Sequence, residues 1–114
     1  MARTVAIVHN DPRFQRAASV ALRNAGCDVV SYISPMTALD EIEAGQHSDV
    51  LVTRVTFPAG EPNGASLALV LRTKYPGLKV VFAARAEQER HVKGIGELIP
   101  HPVNLEKLVE AVLR

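Results

Sequence analysis

Apolar residues in this chain fall into short, nearly continuous runs separated by amphipathic stretches. Residues 5–8, 50–52 and 79–83 are rich in β-branched side chains, with few polar breaks. That continuity predicts parallel strands covered on both faces, since a strand with one wet face would alternate. Two weaker runs, 28–32 and 97–99, complete a set of five strands. Between the runs the period lengthens to that of helices. Phe14, Ala17, Ala18, Ala21 and Leu22 share one stripe behind Asp11 and Pro12, an N-cap followed by proline at the first helical position, and Gly26 supplies the stop. A second helix is expected from Ser34-Pro35 to Gly45, with Leu39 and Ile42 facing in, and a third within 65–75, ended by Pro76-Gly77. The last follows Asn104 and sets Leu105, Leu108, Val109, Val112 and Leu113 on one face.

Strand–helix alternation of this kind predicts an α/β fold, an open, doubly wound parallel sheet with helices on both faces. With five strands the flavodoxin-like order 2-1-3-4-5 is expected, and the functional crevice then lies at the carboxyl ends of the strands. A length of 114 residues suits one domain, residues 1–114, with a single core. Hydrophobic residues make up 47% of it, too many for a disordered chain. A formal charge of +1 offers no broad attraction for nucleic acid or acidic membranes. Cys27 is the only cysteine, which rules out an intramolecular disulfide and fits a reducing compartment. The run 5–8 is too short for a signal sequence, and no stretch of ~18 apolar residues is present. A cytoplasmic location is expected.

The strand-end loops contain His9, Asn10 and Asp11, then 54–63, then Ala84, Arg85 and Ala86, then Pro100, His101 and Pro102. This set is rich in cations and imidazoles, with Asp11 as its main carboxylate. No pair of carboxylates converges for acid–base work. Cys27 lies past a helix end, away from the crevice, so a Cys–His nucleophile is not expected. His9, His101 and Asp11 do not have the spacing of a metal motif.

An ordered series of landmarks then points to a family. It comprises the opening strand with its polar loop and Pro12, the segment from Asp49 through Arg54 to Pro58, Asn63-Gly64, and the stretch from Gly94 to Pro102. Together they resemble the receiver domain of bacterial response regulators, over nearly the whole chain. In that family an aspartate that accepts a phosphoryl group ends the third strand, four residues before a proline; here that position is Arg54. The resemblance places the metal-binding acidic pair on His9 and Asn10, with Asp11 as the neighbour before proline. It places the phosphoryl-contacting hydroxyl on Ala84, the lysine on His101 and the aromatic switch residue on Leu98. It also implies a cis peptide before Pro102.

By this resemblance the site is degenerate. A guanidinium cannot attack a phosphoryl donor and cannot bind Mg²⁺, which wants hard oxygen ligands. No catalytic residue, metal or cofactor is expected, and the chain is not expected to be an enzyme. The loop between Pro58 and Gly64 is longer than the family's by about two residues, and the segment 84–94 shorter by about five, more than a turn of ~3.6 residues. The fourth helix should be a stub near 86–93 or missing. The function implied is an atypical receiver acting as a phosphorylation-independent protein-interaction module in two-component or phosphorelay signalling. Its partner would be a histidine kinase or an effector, with a homodimer as a further arrangement and no nucleic acid or membrane. The alternative is a sensor that binds a small anion or metabolite in the crevice. Thr53 and Thr56 are weak candidates for phosphorylation, because hydroxyls lack acyl-phosphate chemistry. Arg54 is expected to lean over the crevice and pair with Asp11, since a partly buried charge needs a partner; the alternative is a solvent-facing arginine.

Overall fold

The computed structural model describes residues 2–114. Its strands are β1 (Thr4–Val8), β2 (Asp28–Tyr32), β3 (Val50–Thr53), β4 (Lys79–Ala84) and β5 (Glu97–Pro100). Helices α1 (Pro12–Asn24), α2 (Pro35–Glu43), α3 (Gly64–Lys74), α4 (Glu89–Val92) and α5 (Leu105–Leu113) alternate with them, and a 3₁₀ turn at Ala86–Gln88 precedes α4. All pairings are parallel, in the order β2-β1-β3-β4-β5. This is the five-stranded flavodoxin-like sheet that the alternation of runs predicts.

Side-chain alternation along each strand divides the core in two. Ala6, Val8, Leu51, Val80 and Phe82 point to the face covered by α2 and α3, where they meet Ala38, Ile42, Leu67, Ala68 and Leu71. Val5, Ile7, Val50, Val52 and Val81 point to the other face, against Ala18 and Leu22 of α1 and Leu108, Ala111 and Val112 of α5. The central strands are buried on both sides and so read as unbroken apolar runs. The edge strand β2 is half-exposed, which explains its weaker signal.

Helix starts follow the local chemistry of the chain. Asp11, Ser34, Asn63 and Asn104 each accept a hydrogen bond from a backbone N–H of the first turn they precede. Pro12 and Pro35 occupy first-turn positions, where the missing N–H has no intrahelical partner to lose. Two details of the helical stripes differ from expectation. Ala17 is exposed while Ser19 is buried, so the inner face of α1 is rotated towards Ala18 and Leu22. In α5 the buried set is Leu108, Ala111 and Val112, with Leu113 at 43% exposure. A small alanine is invisible to a pattern that weighs large side chains, yet it lets α5 approach the sheet.

Strand β3 runs one residue beyond the apolar run, to the fully buried Thr53. Val8 and Thr53 pair across β1 and β3, so the residues that follow them, His9 and Arg54, emerge side by side at the carboxyl end of the sheet.

Candidate functional site

The crevice at this end has a volume of about 590 Å³ and is lined from four strand ends and from α4. His9, Asp11, Arg54, Ala84 and His101 all border it. Asn10 lies beside it through its contact with Arg54. The residues singled out in the sequence are therefore brought together.

His9 is the most constrained of them, at 2% exposure. Its N–H donates to the Tyr32 carbonyl at 3.1 Å. The Gln15 side-chain amide spans the His9 and Tyr32 carbonyls at 2.6 and 2.7 Å, tying α1 to the ends of β1 and β2. The imidazole packs on Phe14 with centroids 4.3 Å apart. Its Nδ1 accepts the backbone N–H of Asp11 at 3.1 Å. A ring nitrogen that accepts carries no proton, so in the neutral ring the hydrogen is on Nε2. That Nε2 is buried and has no partner among the described residues. Burial, reinforced by the Arg54 charge and by His101 and opposed by Asp11, pushes the pKa of His9 down from 6.5 to about 4. His9 is neutral at pH 7.

Arg54 follows β3 directly. Its N–H donates to the Val8 carbonyl at 3.3 Å, and its own carbonyl accepts from Thr53 Oγ1 at 2.9 Å. The half-buried side chain does not reach Asp11. Its Nη1 donates to Asn10 Oδ1 at 2.5 Å, and the ion pairs among the described residues are His47–Asp49 and Arg114–Glu97. The expected Arg54–Asp11 pair is thus replaced by a charge–amide contact. The reason is local: Asp11 Oδ1 is held at 3.0 Å by the Arg13 N–H as the cap of α1, while Asn10 is uncommitted. A double-mutant cycle on Arg54 and Asp11 should give a coupling below about 0.5 kcal/mol, against about 0.5–1.5 kcal/mol for Arg54 and Asn10. Asp11→Ala should still cost about 1 kcal/mol through the lost cap. Coupling that is larger for Asp11 than for Asn10 would restore the ion pair.

Ala84 is buried at the end of β4 and offers no hydroxyl. Its carbonyl accepts the His101 N–H at 3.0 Å, which sets the exposed imidazole of His101 beside the crevice. The His101–Pro102 peptide is cis. The fourth helix is reduced to a single turn after the 3₁₀ turn, with Val92 as its buried residue. Cys27 is buried, and its thiol is pushed up by burial. His47 and His91 are exposed, although His91 also borders the crevice.

Two features had no readable signal in the sequence. Gln88 donates to Thr56 Oγ1 at 2.6 Å, joining the loops after β4 and β3 across the crevice. Arg90 lines the same wall from α4. Both sit on the stub, whose path the apolar pattern does not determine. Among the described residues no group of three or more His, Cys, Asp and Glu is placed to hold a metal. A Mg²⁺ ion needs several oxygen ligands. Here Asp11 is engaged as a cap and Arg54 brings positive charge to the strand end, so these residues do not fit it.

Solved structures share this fold. A response regulator receiver protein from Sinorhizobium medicae superimposes with a TM-score of 0.88 at 23% identity, covering 98% of this chain and 92% of that one. The chemotaxis response regulator CheY4 of Vibrio cholerae gives 0.86 at 20% identity, covering 100% and 98%. A CheY-like receiver domain protein from Methanospirillum hungatei gives 0.85 at 19% identity, covering 99% and 92%. The sequence matches no family model and no curated protein. The chain has the receiver-domain fold.

Proposed function

We propose that this chain is a receiver-type module of two-component or phosphorelay signalling that works without phosphorylation, through protein contacts. The observation that carries the reading is Arg54, the first residue after β3, where a receiver presents its acceptor carboxylate. Its surroundings agree. His9 and Asn10 stand in place of metal-binding acids, Asp11 caps α1, Ala84 lacks a hydroxyl, and His101 stands in place of a lysine. Phosphoryl transfer depends on positioning and on neutralising charge, and this site lacks both the nucleophile and the metal ligands. A signalling protein, either a histidine kinase or an effector, would recognise the surface of the fold. The shortened α4 gives the α4–β5–α5 face a shape of its own. Among the described residues no helix is long and apolar enough to cross a membrane.

Intact-mass measurement after treatment with acetyl phosphate and Mg²⁺ tests this reading. No phosphoryl adduct is expected on the wild type, and none on Arg54→Asp, because that change restores the acceptor but none of the other four positions. An adduct on the wild type that disappears when one crevice residue is changed would refute phosphorylation independence. An adduct on Arg54→Asp alone would show that the remaining positions matter less than the chemistry implies.

A further inference from the structure

The crevice has an unbalanced set of hydrogen-bond donors. Arg54, Arg85 and Arg90 line it, against the carboxylates of Asp11 and Glu87. None of the three guanidinium groups is in an ion pair among the described residues, since both pairs lie elsewhere. Arg54 uses one terminal nitrogen on Asn10. The side chains of Arg85 and Arg90 donate to no protein group among the described residues. The Asp11 carboxylate is turned to the Arg13 N–H.

The second observation is independent of the arginines. His9 is almost fully buried and borders the same crevice. Its Nδ1 is occupied by the Asp11 N–H, which places the hydrogen on Nε2, and Nε2 has no acceptor among the described residues. A buried donor without a partner is rare in folded proteins and calls for an explanation. A metal ion would not supply one, because a protonated nitrogen cannot coordinate. An oxygen atom with lone pairs would.

We propose that this crevice binds a small phosphate-type dianion, held by the guanidinium groups of Arg54, Arg85 and Arg90 and by the Nε2–H of His9. Tetrahedral phosphate presents several acceptor oxygens, which suits a site with more than one planar donor fork. A single carboxylate would satisfy one fork and leave the others bare. The low pKa of His9 is compatible with this role, since the neutral ring still donates from Nε2. Such a ligand would sit non-covalently in the crevice whether or not a protein partner binds the outer surface.

Isothermal titration calorimetry with inorganic phosphate and with glycerol 3-phosphate, against sodium chloride at equal ionic strength, tests it on the intact chain. Saturable binding of one equivalent is expected for at least one phosphate species and none for chloride. Tighter binding of the ester would mark a phosphorylated metabolite as the ligand; tighter binding of inorganic phosphate would mark the free ion. Arg85 is exposed and Arg90 is exposed, so Arg85→Gln/Arg90→Gln should fold normally and bind at least tenfold more weakly. In ¹⁵N spectra the Nε2 resonance of His9 should shift on titration while that of the distant His47 stays fixed. Heat no greater than that of chloride, unchanged affinity in the double variant, or a motionless His9 resonance at saturation would each overturn the proposal.

Discussion

Gly64→Ala is expected to destabilise the protein by about 3 kcal/mol or more, although it adds a single methyl group. Gly64 opens α3 and is buried against the end of β3, its N–H donating to the Val55 carbonyl at 2.8 Å. A Cβ there would lie 2.8 Å from the Arg54 carbonyl carbon, overlapping the Arg54 carbonyl oxygen, and 3.1 Å from Thr53 Oγ1. Backbone cannot turn aside as a flexible side chain can. Moving the Arg54 carbonyl would disturb the bond it accepts from Thr53 Oγ1 and pull on the central strand of the sheet. Backbone conformation is not the difficulty, since Gly64 is not among the positive-φ glycines. Urea denaturation is the measurement, with Gly77→Ala as control, because a Cβ at Gly77 meets nothing within 4 Å. The control should change stability by less than about 1 kcal/mol. Comparable midpoints for the two variants would mean that the strand end yields.

Acidification should cost the fold up to roughly 3 kcal/mol through His9 alone. The folded ring titrates near pH 4 and the unfolded one near 6.5. Between these values the unfolded chain takes a proton that the folded chain refuses, so stability is lost as pH falls from about 6.5 towards 4, and the loss levels off below 4. The charged groups around the ring are Arg54 and His101, which oppose its protonation, and Asp11, which favours it. Asp49 acts in the same direction but at lower pH. Its carboxylate, held by the Thr4 N–H at 2.9 Å, has a pKa lowered from 3.8, so its contribution fades below that value. Chemical denaturation of the wild type and of His9→Gln at pH 7.0 and 4.5 isolates the effect. The variant is expected to be less stable at pH 7.0 but to lose much less on acidification. Equal losses would place the acid sensitivity elsewhere.

Most of the scaffold was legible because its determinants are local. The run 5–8 reads as a strand from its own apolar continuity, and Asp11 and Asn104 read as helix starts from their own hydrogen-bonding chemistry, whereas the cap at Asn63 went unread. The convergence of His9, Arg54, Ala84 and His101 followed from topology, since Ala84 ends a strand and the other three come directly after one, all at the carboxyl end of the sheet. The partner of Arg54 was not legible. Asn10 and Asp11 are neighbours on one loop, and which of them meets the guanidinium depends on side-chain direction at a helix cap. Charge arithmetic favours Asp11, and the competing Arg13 N–H decides against it. The Gln88–Thr56 contact lay further out of reach, because it joins two loops whose conformations no periodic pattern specifies.

The single turn of α4 also divides the molecule by strength. A helix of four residues is far shorter than one that can hold itself together, so its order depends on what it touches. The turn itself is held by Val92, anchored in the core at 1% exposure, and by the contact of Gln88 with Thr56, while Ile95 just beyond it packs on the core and accepts from Arg72 at 2.7 Å. Residues 85–91 are therefore expected to exchange their amide hydrogens faster than the sheet and the long helices. By that expectation the outer wall of the crevice is its most easily opened part. A ligand that engages Arg85 or Arg90 is then expected to slow exchange in this wall and to leave the sheet unchanged.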